Sequence, residues 1–358
     1  MRENNNVYYG DEIDLKELVL VLWGKKYVII AATLVFAIFA GLFSFLLLPE
    51  VYETKLDIVI NMPGTYSTRY GDYTLPITSN DEYINLIFSN DVILRTISDM
   101  GYEGVSVENL RKRITKVQTQ TNNNGQNNKN MYEIKVSAGS PDEALNLARS
   151  LYRNYIEFLD VMTKEMAIKY FHNYFTVRTE ALNFELEKTR ELLQRNEALL
   201  AETPRTINQI EAMNTIKDNI NDFVVLENII NPNYTKIESD IISNRQAIAN
   251  MEETISEYRR YLAELEEEMK ALDEYYKSGG TTQLDTRIKS IAETSIYLPS
   301  DPIAPGQKSS PHNFRNAAIG GVLGGMISVL VVLVKYYWFE SEKHQKIQTA
   351  YNFNIDKQ

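Results

Sequence analysis

The chain has 358 residues, a net charge of −11 from 37 basic and 48 acidic side chains, and no cysteine. Disulfides and thiolate metal sites are therefore excluded, and packing or assembly must supply the stability. The acidic balance argues against nucleic acid as a partner and against broad electrostatic capture of an acidic polymer.

Residues 1–26 form an N-terminal segment that leads into Tyr27–Leu48, 22 residues without a charge. Near the other end, Ala317 to Val334 is also uncharged, and Tyr336, Tyr337, Trp338 and Phe339 extend it. At a rise of about 1.5 Å per residue, each stretch can cross a hydrocarbon core of about 30 Å. Segments 27–48 and 317–339 are expected to be transmembrane helices, with everything between them on one side. Lys25 and Lys26 precede the first span, Glu50 and Glu53 follow it, and Lys335, Lys343 and Lys346 follow the second. The positive-inside bias then places segment 1–26 and the tail 340–358 in the cytoplasm, and residues 49–316 outside. A cleaved signal peptide fits less well, because Asp11, Glu12, Asp14 and Glu17 precede the apolar run.

Beyond the first span, Tyr52, Thr54, Leu56, Ile58 and Ile60 occupy alternate positions, which predicts a half-buried strand. Met62 to Ser79, with Pro63, Gly64, Gly71 and Pro76, reads as a loop. Its Tyr66, Tyr70 and Tyr73 either pin that loop, the favoured reading, or stack on sugar rings. Helices are expected from Asn80, after Ser89 or Asn90, and after Ser106. The last of these carries Arg111, Lys112 and Arg113, read as a solvated face more readily than as a polymer or subunit contact. Ile114–Gln120 and Met131–Ala138 read as strands joined by a polar, asparagine-rich loop. Together with 282–298, residues 49–140 form an expected α/β base. Its closing strand is placed near Thr286 to Glu293.

Ser140-Pro141-Asp142-Glu143 offers a capping hydroxyl, a first-turn proline and acids at the positive dipole end. No glycine or proline follows as far as Ala201, which predicts a helix of about 90 Å with Leu182, Leu186, Leu193 and Leu200 on one seam. Pro204 stops it, and a shorter helix over Arg205–Ile230 is expected before Asn231-Pro232-Asn233. Tyr234 to Tyr276 then carries apolar positions alternating by three and four through Ile241, Ile255, Leu265 and Leu272, with Asn244 the one polar member. That is a coiled-coil seam ending at Gly279-Gly280, with Glu264, Glu266, Glu267 and Glu268 expected on the face away from it. Residues 141–280 are thus expected to form a long helical hairpin, since a lone amphipathic rod would leave its apolar stripe wet.

Pro299, Pro302, Pro305 and Pro311 mark residues 299–316 as an extended, semi-rigid connector. In the second span, Gly320 and Gly324, like Gly321 and Gly325, lie four apart and allow close backbone approach, either within one protomer or between spans. No phosphate-binding loop, nucleophile elbow or zinc-protease motif occurs. His172, His312 and His344 are too scattered to suggest a metal. No catalytic, cofactor-binding or metal-binding residue is expected, and the chain reads as a non-enzyme. The fold class is an α+β membrane protein: two transmembrane helices flanking an extracytoplasmic α/β base with a long coiled-coil hairpin.

Four features resemble one family, the polysaccharide co-polymerases or chain-length determinant (Wzz-type) proteins. They are Asp11 to Leu18 with Leu22-Trp23 and Lys25-Lys26, Ser89-Asn90-Asp91-Val92, Asn231-Pro232-Asn233-Tyr234, and the prolines from Pro299 to Pro311. The resemblance implies a bacterial inner-membrane protein forming a homo-oligomeric ring. Such a ring acts beside an integral-membrane polymerase on a lipid-linked polysaccharide and sets its chain length, without catalytic residues of its own. Some relatives carry or activate a tyrosine kinase. The tail 340–358 holds only Tyr351 and no phosphate-binding loop, so a fused kinase is not expected, while a separate tyrosine kinase stays open as a partner. A secretion-system periplasmic adaptor is a weaker alternative.

Overall fold

The protein is described here by a computed structural model covering residues 15–117, 130–208, 228–280, 282 and 284–340. Two helices begin it, α1 (Leu15–Gly24) and α2 (Lys26–Leu47), with a break at Lys25. The apolar α2 has a counterpart near the far end, α9 (Asn313–Lys335), followed by a π-helical turn at Tyr336–Glu340. α9 starts four residues before the expected 317. Pro311 cannot sit in a helix interior, but the chain past it is free to coil at once.

The strand expected after the first span is β1 (Tyr52–Ile60). Leu56, Ile58 and Ile60 are buried while their neighbours face outward, as the period of two requires. β1 pairs antiparallel with β5 (Met131–Ala138), which pairs in turn with β4 (Ile114–Val117). Residues 118–129, including the rest of the expected strand to Gln120 and most of the asparagine-rich loop, lie outside the described residues. The fourth strand, β8 (Ile296–Tyr297), closes the order β4-β5-β1-β8. The closing strand expected over Thr286 to Glu293 is not there. Ile288, Ala292 and Ile296 are the buried positions, a step of four rather than two, and Ala292–Ser295 form the short helix α8.

The inner face of the sheet is covered by α3 (Asn80–Asn85), a 3-10 turn (Leu86–Phe88), α4 (Asn90–Asp99), α5 (Val107–Lys112) and the first turns of α6 (Pro141–Glu202). Ser89, Ser106 and Ser140 cap α4, α5 and α6, each accepting a backbone N–H two or three residues into its helix. One core joins them, with Tyr83, Ile134, Leu147, Leu151 and Tyr155 at most 2% exposed.

α6 runs 62 residues, about 90 Å, and α7 (Pro232–Lys277) returns over 46. Their turn-over differs from the expected helix Arg205–Ile230. β6 (Thr206–Asn208) and β7 (Asn228–Ile230) pair antiparallel, and residues 209–227 lie outside the described residues. Pro204 prevents α6 from continuing, and the β-branched Thr206, Ile207, Ile229 and Ile230 suit an extended pair better than a helix. The Asn231 side chain ties the two ends together, donating to the Pro204 carbonyl at 2.8 Å and accepting from the Asn233 amide at 3.1 Å.

Candidate functional site

Three regions could carry the work of such a chain: the foot of the rod, the rod itself, and the paired apolar helices. At the foot, the expected loop 62–79 contains a hairpin, β2 (Thr65–Thr68) and β3 (Gly71–Thr74), in which Tyr66 faces Tyr73. Gly71 takes a φ of 128°, which a side chain would oppose, and lets the hairpin turn. Tyr70 and Tyr73 are 7% and 6% exposed, packed among Phe171, Phe175 and Tyr261 with ring centroids 5.5–6.5 Å apart. These tyrosines therefore pin the hairpin to both long helices and present no open ring face to a sugar.

The Tyr70 hydroxyl donates to Glu268 Oε1 at 2.7 Å, and Glu268 is only 3% exposed. Glu268 was expected on the outer face of α7; the hairpin covers that face at the foot. Glu264 turns the same way and pairs with Arg69 at 3.1 Å. Burial raises the Glu268 carboxyl above its ordinary 4.5, with Tyr70 and Arg287 pulling the other way. Burial also raises the Tyr70 hydroxyl, helped by Glu268. At the end of α7 the seam position is taken by Tyr275, 2% exposed, rather than Tyr276 at 51%. The Tyr275 hydroxyl bonds Arg95 and Glu157, and burial pushes it up to about 12.

Farther out, the rod thins to two helices. Leu186, Ile241 and Ile255 are buried on the seam, while Leu182, Leu193 and Leu200 are half-buried. Two cross-rod ion pairs, Arg190–Glu252 and Arg245–Glu197, fix the register. The basic cluster of α5 is mostly engaged within the base. Arg111 bonds Glu108, Asn90 and the Phe88 carbonyl, and Arg113 reaches Glu143 at 3.4 Å and lies over Tyr102.

The apolar helices α2 and α9 pack antiparallel along one row of small residues. A Cβ placed on Gly320 would lie 2.2 Å from Ala40 Cβ, and one on Gly324 would lie 2.3 Å from Phe36 Cβ. Gly321 faces Ala37 at 3.4 Å, Gly325 faces Thr33 at 3.3 Å, and Gly41 faces Ala317 at 3.3 Å. All four glycines of α9 thus face α2 of the same chain. Toward the base, the row ends in a polar clamp. Ser44, 1% exposed, donates to Asn313 Oδ1 at 2.9 Å and accepts from Asn316 Nδ2 at 2.8 Å. Just beyond, Val51 and Ser310 form an antiparallel bridge, and Lys308 pairs with Glu50 at 2.9 Å. Along the connector, Pro302 and Pro311 are buried, Pro305 is half-buried and Pro299 is exposed. Among the described residues, no three His, Asp or Glu side chains gather as they would around a metal ion.

This architecture defines a class: a helical rod on an α/β base, with an apolar helix long enough to cross a membrane at each end. The first part of the chain is similar to one family. Residues 11–100 match the family model Wzz, chain length determinant protein, and so carry that domain. No curated protein matches the sequence. Among solved structures, a full-length bacterial polysaccharide co-polymerase is 15% identical, covers 91% of this chain and 98% of its own, and gives a TM-score of 0.43. A fragment of WzzB, a polysaccharide co-polymerase from Salmonella Typhimurium, is 13% identical over 73% of this chain and 100% of its own, with a TM-score of 0.27. The Shigella flexneri lipopolysaccharide O-antigen chain-length regulator WzzBSF is 11% identical over 72% of this chain and 99% of its own, with a TM-score of 0.30.

Proposed function

We propose that the chain is a non-enzymatic polysaccharide co-polymerase that regulates the length of a surface polysaccharide, an O-antigen, capsule or exopolysaccharide. In this reading α2 and α9 span the cytoplasmic membrane, both termini are cytoplasmic, and the base and rod stand outside. Several copies form a ring beside an integral-membrane polymerase, in contact with its lipid-linked product. The observation that carries the reading is the chain length determinant domain at residues 11–100. The stiff rod fits a role exercised through shape: it offers neighbours a long surface of fixed geometry.

Two measurements test this. Deleting the gene should broaden or shift the ladder of polysaccharide lengths on a gel, and restoring it should return the original distribution; an unchanged ladder refutes the proposal. Protease added to spheroplasts should cut within residues 49–316 and spare the ends, and the reverse pattern refutes the topology.

A further inference from the structure

Beyond its inner end, where Tyr170 packs on Tyr73 at 5.3 Å between ring centroids, one long face of α6 stays exposed among the described residues. On α6, Tyr170, Tyr174, Val177 and Phe184 are 48, 40, 55 and 74% exposed, and Leu192 and Leu199 continue the row at 38 and 48%. With Ala181, Lys188 and Arg195 filling the gaps, these positions step by three and four and so lie along one line of the helix. The line is distinct from the buried row of Phe171, Phe175, Thr179 and Leu186 that meets α7 or the hairpin. A two-helix rod needs one such row per helix. The second leaves a long strip in water, apolar except at Lys188 and Arg195, which marks an interaction surface.

On α7 the face turned from its own seam has the opposite shape. Ala249, Ser256 and Ala263 are exposed and seven residues apart, the spacing of a row of hollows along a helix. Glu253 lies between them, also exposed. The ion pairs Arg190–Glu252 and Arg245–Glu197 set which residues of the two helices stand at the same height. By that register Phe184 is level with Ser256, Val177 with Ala263, Leu192 with Ala249 and Lys188 with Glu253, each to within two residues, about 3 Å of rise. Neither Lys188 nor Glu253 forms an ion pair among the described residues.

We infer that the α6 row of one copy packs head to tail against the α7 row of a second copy standing at the same height. Val177 and Phe184 then enter the hollows at Ala263 and Ser256, Leu192 covers Ala249, and Lys188 meets Glu253. The inference rests on the proposed topology in one respect: anchoring both ends of every copy in one membrane keeps the rods parallel and level. Large meets small at three heights and plus meets minus at a fourth, with no shift between copies. An α6-to-α6 contact of parallel, level rods would instead set Lys188 against Lys188 and large side chains against large, which disfavours it. A head-to-tail contact repeats around a closed circle, so one such interface suffices to build a ring.

The absence of native cysteine allows a direct test. Two full-length chains with different tags, one carrying Phe184→Cys and the other Ser256→Cys, are co-expressed and the membranes oxidised. A disulfide forms only when the Cα atoms approach to about 4.4–6.8 Å. The expected result is a two-chain band bearing both tags. A control pair, Phe184→Cys with Gln246→Cys, about 15 Å higher on α7, should give none. A missing mixed band in detergent particles that remain oligomeric by light scattering overturns this interface while leaving a ring intact. A strong band from Phe184→Cys alone overturns it in favour of α6 against α6. Particles that are monomeric throughout overturn both the interface and the ring.

Discussion

The foot of the rod and its outer half are built from the same two helices, α6 and α7, yet are held by different means. At the foot, a tyrosine-bearing hairpin adds a third layer, burying Phe171, Phe175, Leu265 and even Glu268. In the outer half no third layer occurs among the described residues, and most seam positions stay half-exposed. An unchanged three-four repeat therefore gives a packed core where a third element covers it and a marginal zipper where none does. The contrast locates the stability near the base and the surface available to neighbours farther out.

The largest expected effect sharpens that contrast. Leu147, fully buried in the base, should lose about 2–5 kcal/mol of stability on change to alanine. The same change at the half-buried Leu193 of the outer seam should cost no more than about 1–2 kcal/mol. Thermal unfolding of the detergent-solubilised chain, followed by circular dichroism, gives the order, and equal losses would erase the distinction.

Next come the apolar helices. Gly320→Leu places bulk where a Cβ alone would stand 2.2 Å from Ala40, an overpacking worth about 1–3 kcal/mol. Gly325→Ala meets the Thr33 side chain, its hydroxyl at 3.3 Å and its methyl at 3.9 Å, and should be milder. The same unfolding measurement ranks the two, and a reversed order would show that the helices pack differently.

At the foot, Tyr70→Phe removes the donor to the buried Glu268 and should cost about 1–3 kcal/mol. Glu268 also predicts a pH dependence. Its carboxyl is raised above 4.5, so the folded state holds the proton more tightly than the unfolded chain. Its contribution to stability is then fullest below that ordinary value and declines as the pH rises through the raised one. Glu268→Gln should flatten this decline on the alkaline side of the ordinary carboxyl value of 4.5. A variant with an unaltered pH profile would remove Glu268 from the explanation.

The smallest effect belongs to the outer rod. Arg190→Ala breaks a mostly exposed cross-rod pair and should cost about 0.2–1 kcal/mol. A larger loss on unfolding would mean that the outer zipper is tighter than its exposure implies.

How far these features could be read from sequence follows from their range. β1, the capped starts of α4, α6 and α7, and the α7 seam each rest on neighbours within a few residues, so their patterns were visible. The β2–β3 hairpin looks like a loop in the sequence because Tyr70 is buried by partners such as Phe171 and Tyr261, far along the chain. The burial of Glu268 is hidden for the same reason, since four glutamates within five positions, Glu264 and Glu266 to Glu268, suggest a wet face until a distant hairpin covers it. At the turn-over, Thr206 and Ile230 pair across residues 209–227, a contact no local repeat announces. The glycines of α9 were legible as a close-approach motif, but sequence left open whether their partner lay in the same chain. Their geometry toward α2 favours the same chain.

The central claim is that this protein works through the shape of its rod rather than through reactive side chains. It is tested most directly by the polysaccharide length distribution in cells whose only copy has the outer rod, residues 183–258, replaced by a short turn. With the base and both apolar helices retained, the proposed mechanism predicts a shifted or unregulated ladder of lengths. A ladder identical to that of the intact protein would contradict it.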